Sequence, residues 1–117
     1  MRFQIAIVVF LFAAVGHVSA QAPLDDLTPC SAAVRAFASA DEAKTHTTAY
    51  MDSIFQRLDR EHKKYGEPAI LNERLTTTLE TVVQALCSQH QRSTISNEAA
   101  DAYRSLRGLI VRTGVEP

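Results

Sequence analysis

Apolar side chains recur along this chain at the three-to-four-residue spacing of a helix, and no stretch keeps up the strict alternation of a half-buried strand. The clearest stripe lies in residues 75–87, LTTTLETVVQALC, where Leu75, Leu79, Val82, Val83 and Leu86 share one face. Thr76, Thr77 and Thr78 lower intrinsic helix propensity, so this helix depends on tertiary packing. Asn72 is placed to cap it, Glu73 sits in its first turn, and it is expected to end near residues 88–90.

The other elements are predicted by the same signals. Residues 21–27, QAPLDDL, read as an extended arm. Thr28 as N-cap and Pro29 at the first helical position open a short Ala-rich helix over 30–38, with Cys30, Val34 and Phe37 inward. Ser39 and Glu42 match a capping box for a long helix reaching to about residue 65. Its inward face carries Thr47, Tyr50, Met51, Ile54, Leu58 and Tyr65, and its outward face Arg57, Asp59, Arg60, Glu61, Lys63 and Lys64. Gly66 suits the position after that helix, and Pro68 stops any continuation. Ser96 is predicted to cap a last helix, with Ile95 stapling to Ala100 and an inward stripe of Ala99, Tyr103, Leu106 and Ile110; Gly108 and Gly114 weaken its end. With no hairpin signal and no internal repeat, the expected fold is all-α, a small four-helix bundle with short connections.

The first residues stand apart from this pattern. Arg2 is followed by the uncharged run IAIVVFLFAAV at 5–15, and Val18 and Ala20 are the small residues a signal peptidase accepts. Residues 1–20 are therefore expected to be a cleaved signal peptide, with no lipoprotein cysteine, leaving one helical domain at 21–117 exported to the periplasm. The apolar run is short of the roughly 20 residues a membrane span needs, and no second one follows. Export changes the meaning of the two cysteines. In an oxidising compartment Cys30 and Cys87 read as one disulfide, the alternative being two buried thiols. The bond would close a loop of 58 residues, and removing that loop's freedom from the unfolded chain stabilises by about 4 kcal/mol.

Charge excludes some functions. After signal cleavage 11 basic residues face 13 acidic ones, so there is no basic field for nucleic acid. Below about pH 3 carboxylates are neutral and histidines charged. The 11 basic residues together with His46, His62 and His90 then make +14, a charge that favours expansion of so small a domain. Catalytic signals are thin. Glu42 and His46, or Glu61 and His62, lack the convergent spacing of a metal site and read as solvated helix faces. Cys87 and His90 have thiol–imidazole spacing, but a disulfide removes the thiol. Arg57, Arg60, Lys64 and Arg74 would suit an anion pocket if they converged. No catalytic residue, metal or cofactor is expected.

Two family resemblances point toward function. The segments LTPCSAAVRAF at 27–37, TVVQALCSQH at 81–90 and ISNEAADAYRSLRGLI at 95–110 together resemble the HdeA/HdeB-type periplasmic acid-stress chaperones of Gram-negative bacteria. That resemblance implies a non-enzymatic, disulfide-bonded homodimer at neutral pH that dissociates and loosens in acid. Its partners would be unfolding periplasmic proteins, held by apolar helix faces. Leu75, Leu79, Val82, Val83 and Leu86 are then the client-binding residues, or plain core. AYMDSIF at 49–55 and the stretch 79–106 are similar to small exported Tai-type immunity proteins, which implies a folded surface binding one toxin. More loosely, HKKYGEPAILNERL at 62–75 resembles the helix junction of helical chorismate mutases, which would make the arginines a dicarboxylate site.

Overall fold

The structure is a computed structural model that describes residues 24–39 and 41–113. The expected signal peptide, residues 21–23 of the expected arm, and Gly114 lie outside the described residues. Over the described residues the fold is all-α, with four helices and one disulfide: α1 (Cys30–Ala38), α2 (Asp41–Lys64), α3 (Glu73–Gln89) and α4 (Ile95–Thr113). No strand occurs among the described residues; one isolated bridge joins Pro29 to Thr94.

Each helix end reflects where its unpaired backbone groups go. α1 has no side-chain cap, and its N-cap is Pro29, not Thr28. Thr28 Oγ1 instead accepts from Asp25 N–H at 2.9 Å in the preceding turn. The first N–H groups of α1 reach the α3–α4 connection: Cys30 N–H donates to Ser93 O at 2.7 Å and Ser31 N–H to Gln91 O at 3.1 Å. Backbone carbonyls of another segment thus replace the expected local cap. Ser39 closes α1, its hydroxyl donating to Ala36 O at 3.4 Å, so its side chain serves the helix before it.

The other ends follow local chemistry more closely. α2 stops at a Schellman motif: Glu67 N–H returns to His62 O at 3.0 Å and Gly66 N–H to Lys63 O at 3.1 Å. Gly66 has φ +82°, a conformation glycine adopts without a Cβ penalty. Asn72 caps α3, its Oδ1 accepting from Leu75 N–H at 2.9 Å. At α4 the cap is Thr94, whose Oγ1 accepts from Asn97 N–H at 3.1 Å, so Ser96 falls inside the first turn and the helix begins at the buried Ile95.

α2 packs against the other three helices, while α1 lies on α2 and α3, and α4 on α2 and α3. Being surrounded, α2 buries a wider sector than its predicted stripe. Phe55 and Asp59 join Thr47, Met51 and Ile54 inside, whereas Tyr65 is exposed. The Cys30–Cys87 disulfide is fully buried, with its Cα atoms 4.8 Å apart, and ties the start of α1 to the end of α3. Leu79, Val83, Ile95, Ala99 and Tyr103 complete the centre of the core.

Candidate functional site

α3 and α4 pack side by side, and a groove of about 510 Å³ lies between their apolar faces. Leu79, Val82 and Leu86 form the α3 wall, with Ala102, Leu106 and Leu109 opposite on α4. His90, Glu98, Asp101 and Ser105 are the polar lining. Glu98 is 6% exposed, and its Oε1 lies 3.1 Å from Nδ1 of the exposed His90. This contact joins the end of α3 to the first turn of α4, where the helix dipole favours a carboxylate.

The five residues of the predicted stripe divide in two. Val83 turns wholly into the core, and Leu75 is half-buried against it. Leu79 is fully buried yet forms the groove floor, while Val82 and Leu86 reach solvent along its wall. A stripe of five positions on a helix covers more than one packing direction, and α1, α2 and α4 each take part of it. The α4 wall was half-legible: Leu106 belongs to the inward stripe, and Leu109, three residues on, extends it into solvent at 50% exposure.

Apart from the groove, the interior holds a buried polar network that periodicity does not reveal. Asp59, predicted on the outer face of α2, points inward. Its carboxylate accepts from Tyr103 Oη at 2.8 Å, Ile70 N–H at 2.9 Å and Leu71 N–H at 3.3 Å. Arg107 donates from Nη1 to Tyr103 Oη at 3.0 Å and from Nη2 to Pro68 O at 2.7 Å, with Nη1 3.6 Å from Asp59 Oδ1. Burial first, and then the hydrogen bond to Asp59, push the Tyr103 hydroxyl up to about 12, so it stays a donor. These groups lock α2, α4 and the α2–α3 connection together. They are satisfied by one another, which makes this a structural network.

A second interior contact is less well matched. Glu80 on α3 faces Asp52 on α2, and burial followed by Asp52's hydrogen bond and charge raises the Glu80 carboxyl from its ordinary 4.5 to about 7. Asp52 Oδ1 is buried without a hydrogen-bond partner.

The remaining candidates do not converge. Arg57, Arg60, Lys64 and Arg74 are all exposed and none lines the groove, so the dicarboxylate pocket has no support. Glu42 and His46 are exposed as well. Half-buried His62 has its Nδ1 3.2 Å from Glu67 Oε1. Cys87 is disulfide-bonded and offers no thiol to His90. Among the described residues no group of three or more His, Cys, Asp or Glu is placed to hold a metal ion, and no helix is long and apolar enough to cross a membrane. No protein-family model, curated protein or solved structure matches this chain.

Proposed function

We propose that this protein is an exported, non-enzymatic acid-stress chaperone of the HdeA/HdeB kind, which holds its fold near neutral pH and in strong acid offers apolar helix faces to unfolding periplasmic proteins. The observation that carries the reading is the combination, in one small fold, of an open apolar groove with an interior ion pair. Val82, Leu86 and Leu109 supply apolar surface at the groove. Arg107, 4% exposed, depends on two carboxylates, the buried Asp59 at 3.6 Å and the exposed Glu67 at 3.8 Å, so loss of their charge would leave it unpaired in the interior. Removing one member of a buried pair typically costs about 3–5 kcal/mol, a large part of the roughly 5–15 kcal/mol that holds a domain together. The Cys30–Cys87 bond would keep the loosened chain tethered.

The test is light scattering of an acid-denaturing client at about pH 2–3, where carboxylates are neutral, with and without the protein. Aggregation should be suppressed, and Val82→Ser/Leu109→Ser should weaken the suppression. A chain that stays compact by size exclusion and circular dichroism at that pH, and leaves aggregation unchanged, would sink the proposal. A rival reading, an immunity-type module binding one toxin, draws on the groove being open in the folded state; it requires tight binding at neutral pH to a single partner.

A further inference from the structure

The groove between α3 and α4 is apolar along its walls, but its charge is one-sided. The ionisable lining consists of two carboxylates, Glu98 and Asp101, and His90, with no lysine or arginine. Arg104, the nearest cation to Asp101, keeps its Nη1 3.9 Å from Oδ1 with both side chains exposed, a loose contact that water screens. Glu98 is more deeply placed. It is over nine-tenths buried, yet lines the groove, and its Oε1 is 3.1 Å from Nδ1 of His90, a side chain that is itself 54% exposed. The dipole of α4 explains why a carboxylate is tolerated in that first turn. It does not explain Asp101, one turn further on and facing the same space. A buried carboxylate beside an apolar wall is costly unless a cation completes it.

We propose that in the folded protein at neutral pH this groove binds an amphipathic polypeptide segment carrying a lysine or arginine among leucine-type residues, with the cation seated at Glu98 and Asp101. The volume of about 510 Å³ admits a few aliphatic side chains, as when a helix lays its apolar face into a groove. The long stem of lysine or arginine runs along the apolar wall while its head reaches the carboxylates. Charge sets which segments fit, and the leucine-type anchors supply the contact area. The inference concerns the folded state and is independent of acid activation, so binding at pH 7 and client protection in strong acid succeed or fail separately.

The probe is a labelled, acetylated and amidated helical peptide of roughly 15 residues, with leucines at i, i+4 and i+7 and one lysine beside them. Two companions replace the lysine by norleucine or glutamate. Fluorescence anisotropy at pH 7 and about 0.05 M salt should show the lysine peptide binding at least about tenfold tighter than the glutamate peptide. Val82→Ser/Leu109→Ser should weaken all three, whereas Glu98→Gln and Asp101→Asn should bring the lysine-to-glutamate ratio toward one. Should Glu98→Gln fail to fold by circular dichroism, Asp101→Asn alone, at an exposed position, must still lower the ratio about threefold. The proposal is overturned if no peptide binds, if the three bind alike, or if the serine variant or the carboxamide variants leave binding and its charge preference unchanged.

Discussion

Replacing Glu80 by glutamine should stabilise this protein above neutral pH and do little in mild acid. Glu80 and Asp52 meet between α3 and α2, and the folded state raises the Glu80 carboxyl from 4.5 to about 7 through burial and the neighbouring carboxylate. A raised carboxyl means the folded state binds the proton more tightly than the unfolded chain. Stability therefore falls as pH rises from 4.5 towards 7, and the full cost remains above that. At about 1.4 kcal/mol per pH unit, the displacement sets a ceiling of about 3 kcal/mol. Glu80 is half-buried, and solvent screening reduces this to about 1–2 kcal/mol. Glutamine removes the charge and supplies an amide donor for the unpartnered Asp52 Oδ1. Thermal unfolding followed by circular dichroism, wild type beside Glu80→Gln, should show the variant more stable at about pH 8, by roughly 4–8 °C for each kcal/mol. The gap should close near the pH at which free glutamate titrates. A variant that is no more stable at pH 8, or a gap that does not change with pH, would refute the reasoning. The sign also bears on the proposed chaperone: mild acid tightens α2 on α3, so loosening must begin below that window.

Two further perturbations probe the scaffold. Cys30→Ser/Cys87→Ser, or reduction, should lower unfolding free energy by about 4 kcal/mol, read from denaturant midpoints, and should speed amide exchange at Cys30 and Ser31, whose N–H groups bond to the α3–α4 connection; unchanged stability would mean the bond constrains little. Asp59→Asn should cost up to about 3 kcal/mol at pH 7, because Arg107 loses its buried carboxylate and keeps only the exposed Glu67, 3.8 Å from Nη2, whereas Arg60→Ala, at an exposed position on the same helix, should stay within about 0.5 kcal/mol; equal effects of the two would show that the interior pair is not held as described.

What the amino-acid order determined by itself is local. Helical spacing located all four helices, and Gly66 and Asn72 end and begin their helices through bonds within a few residues along the chain. The cysteine count together with the expectation of export led to the Cys30–Cys87 pairing. Thr28, Ser39 and Ser96 lost their expected capping roles because those ends were decided by neighbours: carbonyls of the α3–α4 connection for α1, and Thr94 for α4. Tertiary packing alone decided which charged residues went inside. A charged residue on a helix is ordinarily outward, and nothing near Asp59, Glu98 or Arg107 in the chain marks an exception. Asp59 is buried because Tyr103 lies 44 residues away in sequence and 2.8 Å away in space. The groove has the same origin. Val82 and Leu86 look like core on the α3 stripe, and only the packing of α3 beside α4 leaves them, with Leu109, along an open groove. Periodicity reports that a face is apolar; what covers it depends on contacts between segments far apart in the chain.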